Sequence, residues 1–272
     1  TVGFIMAMWV VDLCGWSLSP LQLYIGSAAA FILGLYAFTM PSCPPAKTQK
    51  KHTLISSLGL DAFVLFKQPK IATFFIFAML LGAALQITNT FGTPFLQEFA
   101  KNPAYASLFA VTHPGILMSI SQMSETLFIL AIPFFLSRFG IKKVVLMSIF
   151  AWVLRFGLFG LGNPGDGLVL LVMSMIIYGI AFDFFNISGS LFVETEASPE
   201  IRASAQGLFM IMTNGIGAFV GGWVSGWVVD YFTAADGMKD WQSIWFVFAT
   251  YALILGILFA IFFRYKHIPK TA

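Results

Sequence analysis

Charge is the scarcest commodity in this chain: Asp, Glu, Lys and Arg make up 10% of its 272 residues, against about 25% in an ordinary soluble domain. So little charge excludes a water-exposed globular surface, and a net charge of only +3 excludes a basic footprint for nucleic acid. There are two cysteines and three histidines. Cys14 falls near the end of one apolar segment and Cys43 in a loop expected on the opposite side of a membrane, so a disulfide between them is implausible. His52, His113 and His267 sit in loops or at segment ends and form no cluster. CxxC, HExxH, Walker and Rossmann spacings are all missing. With no metal set, no cofactor motif and no nucleophile–base pair at a span end, neither a catalytic residue nor a cofactor is expected, and an enzyme is the weaker class.

What is abundant is apolar. Hydrophobic residues reach 58%, with 31 Phe and 24 Gly, and the mean hydropathy is +0.86. A bilayer core takes about 20 apolar residues as a helix. Runs near 1–16 (clipped at its start), 21–40, 71–96, 114–137, 144–162, 168–190, 203–230 and 241–263 therefore predict eight transmembrane helices in an all-α polytopic membrane protein. The runs are too long for barrel strands, and only helices or closed barrels satisfy the backbone in lipid.

Orientation follows from the loops. One alternate set holds Lys47, Lys50, Lys51, Lys67, Lys70, Arg138, Lys142, Lys143, Arg202, Arg264, Lys266 and Lys270, the other only Lys101 and Lys239: twelve against two, with Arg155 left inside a span. Both ends are expected in the cytoplasm, as an even number of spans requires. The segment 41–70 is the one internal boundary; within it Leu54 to Lys67 has apolar residues at helical spacing, which suggests a short amphipathic helix on the membrane surface or a connector between bundles. The chain opens on Thr1, already inside an apolar run, and reads as part of a longer polypeptide. Two spans before the linker and six after make sense as the remainder of a six-plus-six architecture.

Polar groups at membrane depth are costly and face a cavity or a partner. Gln86 and Asn89 lie three apart on the third span, and Gln122 and Glu125 repeat that spacing on the fourth. On the sixth, Tyr178 and Phe182 are four apart, Asp183 follows, and Asn186 lies four beyond Phe182. Carboxamides and a carboxylate suit hydroxyls, and aromatic faces suit a flat ring, so a nucleoside-like solute fits the set. The competing role for each amide is helix–helix hydrogen bonding, worth about 0.6–2 kcal/mol. For Tyr178 and Phe182 it is ordinary packing.

A carboxylate lining a cavity at membrane depth can load and release a proton. Nothing here suggests a Na⁺ site of unwound backbone, so a proton is the simpler coupling ion. Glu125 is the first candidate to sense both proton and solute. Asp183, nearer the cytoplasmic end, is a second coupling group or else a gate or structural partner. Arg155 is expected to pair with a neighbouring helix, whereas Asp12 and Asp230, near external span ends, are expected to be solvated. Gly217-Ala-Phe-Val-Gly221 and Gly222-Trp-Val-Ser-Gly226 predict close packing of the seventh span. Gly92-Thr-Pro94 and Pro133 mark expected kinks or breaks.

The strings Leu58-Gly-Leu-Asp-Ala-Phe63, Leu85-Gln-Ile-Thr-Asn89, Ser119-Ile-Ser-Gln-Met-Ser-Glu125, Tyr178-Gly-Ile-Ala-Phe-Asp-Phe-Phe-Asn-Ile-Ser-Gly-Ser190 and Ile201-Arg-Ala-Ser-Ala-Gln-Gly207 together resemble the nucleoside:proton symporter family of the major facilitator superfamily. Ser137-Arg-Phe-Gly-Ile-Lys-Lys143 also looks like the superfamily's basic loop motif, with Ser137 where an Asp is common. The resemblance runs over essentially the whole chain. It implies helices five to twelve of a twelve-helix transporter: the last two helices of an N-terminal bundle in 1–40, a cytoplasmic linker in 41–70 and a C-terminal six-helix bundle in 71–272.

The same resemblance implies uptake of purine and pyrimidine nucleosides with protons, by alternating access, across a bacterial inner membrane. Its pocket, carried over, would comprise Thr1, Phe4, Gln86, Asn89, Gln122, Glu125, Tyr178 and Phe182, with Asp183 adjacent. A relative handling a sugar, or one narrowly preferring xanthosine, is the alternative. The expected partners are nucleosides, protons, the lipid bilayer and the remaining N-terminal helices of the same polypeptide. Alternating access needs two bundles closing on the solute, so these 272 residues alone are expected not to transport.

Overall fold

The computed structural model describes residues 2–16, 19–42 and 59–265. It is helical: among the described residues the only β pairing is an isolated bridge between Thr233 and Lys239. The elements are α1 (Val2–Leu13), α2 (Leu21–Ala37), a 3-10 helix Leu60–Lys67, α3 (Pro69–Glu98), α4 (Pro114–Leu161), α5 (Leu168–Glu196), α6 (Arg202–Tyr231) and α7 (Trp241–Phe262). The five from α3 to α7 are each long and apolar enough to cross a membrane. α1 and α2 are shorter, at 12 and 17 residues.

Helix α4 accounts for two of the predicted spans. Its 48 residues contain one non-helical position, Gly140, at φ 72° and ψ 166°. That positive φ is a region open to glycine and strained for a residue with a Cβ, and the chain reverses there. The contacts with α5 show the reversal. Ser124 bonds the Ile176 carbonyl, and further along the same limb the Phe135 ring meets that of Phe184 at 4.9 Å, so limb 114–139 runs parallel to α5. In limb 141–161, Ser148 bonds the Ala181 carbonyl at 2.5 Å and Arg155 that of Ser174 at 2.8 Å, so it runs antiparallel. The six spans predicted after the linker are therefore all present. Pro133 and Pro94, by contrast, lie inside continuous helix.

Limb 141–161 is the centre of the bundle. Trp152, Arg155, Phe156 and Phe159 are buried within it, and Phe156 stacks on Trp245 of α7 at 5.9 Å and 17°. α3 packs on α6, whose middle turns, Ile211–Gly217, are π-helical. Only the first of the two glycine patterns makes that contact. A Cβ at Gly221 would lie 2.5 Å from the Ala83 Cα, and one at Gly217 would strike the Met79 carbonyl. At Gly222 the nearest atom would be 3.9 Å away, and at Gly226 there is nothing within 4 Å. The outer surface carries large apolar side chains such as Leu130, Phe219 and Trp227, as a lipid-facing wall requires.

Charges gather at opposite ends of the bundle. At one, Lys70 pairs with Glu196 at 2.7 Å and Arg202 with Glu194 at 3.7 Å. At the other, Glu98 holds Lys101 at 2.9 Å and Lys239 at 3.3 Å, and accepts the Trp241 indole N–H at 3.0 Å. Both lysines of the sparse loop set are thus bound to one carboxylate. Beside them Asp240 caps α7, and hydrogen bonds from Ser243 hold its carboxyl below the usual range.

The 3-10 helix Leu60–Lys67 covers the end of the expected amphipathic segment. It buries Ala62 and Leu65 and packs against α3 and the start of α6. Residues 43–58 of the linker, with Cys43, His52 and the basic residues Lys47, Lys50 and Lys51, lie outside the described residues, as do Lys266, Lys270 and His267.

Candidate functional site

A cavity of about 600 Å³ opens where α1, α3, both limbs of α4, α5 and α6 converge. From α3 come Leu85, Thr88, Asn89 and Thr93, positions that recur on one helical face. Limb 114–139 contributes Met118, Ser121, Gln122 and Glu125, again one turn apart, and limb 141–161 contributes Arg155. Tyr178 and Phe182 of α5, Met8 of α1 and Asn214 of the π-helical turn complete the wall. Its size is that of a small-molecule site.

Five of the expected pocket residues, Asn89, Gln122, Glu125, Tyr178 and Phe182, line this one space. The Gln122 amide donates to Glu125 Oε1 at 3.2 Å, the contact that a spacing of three permits on a helix. Tyr178 and Phe182 stack on each other at 5.6 Å and 10°, making a continuous flat wall of two rings. Trp152 supports Tyr178 edge-on at 5.8 Å and 85°.

Other expected residues are placed elsewhere. Gln86 donates to Thr90 at 3.1 Å and its stem points towards Gly222, so it does not share the cavity face with Asn89. Asp183 is buried on α5 outside the cavity lining, and its Oδ2 has no hydrogen-bond partner among the described residues. Asn186 donates to the Phe182 carbonyl of its own helix at 3.0 Å. Thr1 and the side chain of Phe4 lie outside the described residues.

Arg155 occupies a more demanding position than pairing with a neighbouring helix implies. It is fully buried. Its Nη1 donates to the Ser174 carbonyl, and the Ser174 hydroxyl returns a bond of 2.9 Å to the Arg155 carbonyl. The guanidinium lies 4.3 Å over the Tyr178 ring and 4.9 Å over Phe159, where the ring faces attract a cation. A cation is thereby held against the aromatic wall of the cavity that Glu125 also lines. Thr88, Thr93, Ser121 and Asn214 were missed in sequence, because single hydroxyls and an amide in apolar helices are common and only the helix contacts reveal their common target.

Asp12 requires a correction. It was expected to be solvated, but it is buried, and its carboxylate accepts the Ile116 backbone N–H at 2.8 Å. The N-terminus of α4 has unpaired N–H groups and a favourable dipole, so a carboxylate settles there rather than in water. Asp230 is exposed, as expected.

Residues 1–268 match the family model described as nucleoside H⁺ symporter. The chain belongs to that family. It is a family of transporters, not of enzymes. The chain is 60% identical over 271 residues to the xanthosine permease of Escherichia coli (strain K12), covering 99% of this chain and 65% of that protein. It is also 60% identical over 269 residues to the nucleoside permease NupG of the same organism, covering 98% of this chain and 64% of that one. The chain thus spans slightly less than two thirds of the curated relatives it matches. Among solved structures, a variant of the nucleoside transporter NupG superposes with a TM-score of 0.89 at 59% identity, over 97% of this chain and 65% of that one. The fold is that of the major facilitator transporters.

Proposed function

We propose that this chain is the larger part of a proton-coupled nucleoside transporter and that the cavity between α3, α4 and α5 is its solute site. The observation that carries the reading is the meeting of the Gln122–Glu125 pair with the stacked Tyr178–Phe182 wall in one space of about 600 Å³. An amide and a carboxylate offer paired contacts to sugar hydroxyls, and the ring wall offers a face to a base. Glu125 both lines the cavity and is ionisable, so a proton taken up there alters the bonding of the solute directly. Asp183, buried with one carboxylate oxygen that has no partner among the described residues, is the second candidate for the proton.

The division into a last pair of N-terminal helices (1–40), a linker (41–70) and a C-terminal six-helix bundle (71–272) belongs to the same reading. It is supported by α2, which buries none of its residues, as a helix of another bundle would when that bundle's other members are elsewhere. The remaining third of the relatives' length would supply those members and, with Thr1 and Phe4, the facing side of the pocket. The loop charges favour both ends in the cytoplasm of a bacterial inner membrane.

Identity to a xanthosine permease equals that to a nucleoside permease, so a narrow xanthosine carrier is the second reading. The test is gradient-driven uptake of labelled uridine by cells expressing the full-length parent polypeptide, with xanthosine, adenosine and a hexose as competitors. Uridine uptake blocked by purine nucleosides supports the broad reading. Uptake of xanthosine alone selects the narrow one, and competition by the hexose removes both.

A further inference from the structure

Most hydroxyls on the cavity helices are already engaged. Ser119 donates to the Ile116 carbonyl at 2.6 Å and accepts from Trp9 at 2.9 Å. Ser124 donates to the Ile176 carbonyl and accepts the Gly179 N–H. Thr126 bonds back to the Gln122 carbonyl at 3.1 Å, the usual recourse of a helical Ser or Thr. Among the described residues Thr88 of α3, Ser121 of α4 and Ser188 of α5 have no such partner, and of the three only Thr88 and Ser121 border the cavity. These two are 2% and 3% exposed, and the side-chain oxygen of each is buried. A buried hydroxyl left unsatisfied is rare unless something outside the chain completes it.

The two oxygens belong to one junction. Gly92, one turn beyond Thr88, meets the Met118 side chain of α4, one turn before Ser121. A Cβ at Gly92 would come 2.9 Å from the Met118 terminal methyl and 3.8 Å from the Thr88 methyl. The close approach that glycine allows brings α3 and α4 together within one turn of Thr88 and of Ser121, on the two helices bounding one side of the cavity. The third cavity residue with an unpaired buried atom, Arg155 at Nε, differs in kind: its guanidinium is already tied to Ser174 and held over Tyr178.

We propose that Thr88 and Ser121 form a further polar subsite that receives a sugar hydroxyl of the transported solute. Each side chain can donate one hydrogen bond and accept others. A solute hydroxyl between them can accept from one and donate to the other, which a carbonyl, lacking a proton, cannot do. Neither residue carries charge, so the corner favours a neutral hydroxyl over an anion. The subsite would let the carrier separate ribosides from deoxyribosides, because a site built to bond a hydroxyl is left with buried unpaired groups when that hydroxyl is missing. The proposal rests on the nucleoside reading above.

The experiment measures uptake of uridine and of its 2′-, 3′- and 5′-deoxy analogues by the full-length protein, as wild type, Thr88→Val, Ser121→Ala and the conservative Thr88→Ser. The loss of one such bond predicts that Thr88→Val and Ser121→Ala each raise the uridine KM about three- to tenfold. For the one deoxy analogue that lacks the contacted hydroxyl, these variants should match wild type, and Thr88→Ser should restore the uridine KM. An unchanged uridine KM, or the same change for uridine and all three analogues, overturns the subsite and assigns the two oxygens to water or to packing. In that case intact wild-type uridine uptake leaves the nucleoside reading standing. No uridine uptake by the wild type removes that reading and the sugar subsite with it.

Discussion

The Asp12 carboxylate accepts the Ile116 backbone N–H at 2.8 Å, so the end of α1 closes the first turn of α4. Asp12 also lies against Gly115, where a Cβ would sit 2.8 Å from its Oδ2, and one turn earlier Trp9 reaches Ser119. If α1 and α4 belong to different bundles, this is a contact that the bundles must release and remake.

Asp12→Ala should therefore loosen α1 from α4, at a cost of about 0.5–2 kcal/mol, the range for losing a helix-capping side chain. Gly115→Ala should cost a similar amount by pushing the carboxylate away. Because both break the same contact, the double variant should be little worse than either single one. Thermal unfolding of the purified full-length protein and its three variants measures this, and full additivity would show that the two substitutions do not act through one shared contact.

Glu125→Gln keeps the shape of the side chain and most of its bonding while removing its proton exchange. Solute binding should survive and accumulation driven by the proton gradient should be lost. Uridine binding measured by calorimetry, alongside uptake with and without an imposed pH gradient, separates the two. Gradient-driven uptake that persists in this variant would move the proton to Asp183 or to another group.

Arg155 should tolerate no substitute well. Arg155→Met removes the side-chain donor to the Ser174 carbonyl, a hydrogen bond from a charged group worth about 1.5–3 kcal/mol, and removes the cation from the Tyr178 face. Arg155→Lys restores charge but not the planar donor set. Uptake should fall at least about tenfold in the methionine variant, since 1.4 kcal/mol is a factor of ten, and recover only partly with lysine. Wild-type uptake in Arg155→Met would make the cation–ring stack incidental.

The adjacent glycines of α6 should part company. Gly221→Ala forces a methyl into the Ala83 backbone of α3, an overpacking that costs about 1–3 kcal/mol. Gly222→Ala meets only the Gln86 stem at ordinary contact distance and should be neutral or slightly stabilising, because alanine is the better helix former. Thermal unfolding of the two variants side by side decides it.

Much of the architecture was legible because length and hydropathy are local properties. Each predicted span from 71 onward has its helix, and even the two spans merged into α4 were separable in sequence, since Arg138, Lys142 and Lys143 interrupt the apolar run on either side of Gly140. The proline signals were less informative. Pro94 and Pro133 sit inside continuous helix, and the real irregularity, the π-helical Ile211–Gly217, left no distinct mark in the sequence. Small-residue spacing predicted close packing of α6, but two overlapping patterns were available and only the neighbouring helix chose Gly217 and Gly221.

The candidate site divides along the same line. Spacing along one helix put Gln122 beside Glu125 and Tyr178 beside Phe182, because neighbours three or four residues apart share a face whatever surrounds them. It could not say which face points inward, so Gln86, on the edge of the Asn89 face, turns to α6 while Thr88 enters the cavity. By itself the sequence determined that this is a bundle of membrane-crossing helices with polar groups at their middles, since the cost of charge and unpaired backbone in lipid acts on each segment separately. The tertiary structure alone decided that Asp12 caps α4, that Arg155 lies over Tyr178 and that Thr88 and Ser121 line one cavity. Those contacts join residues distant in the chain, and their partners exist only once the helices have packed.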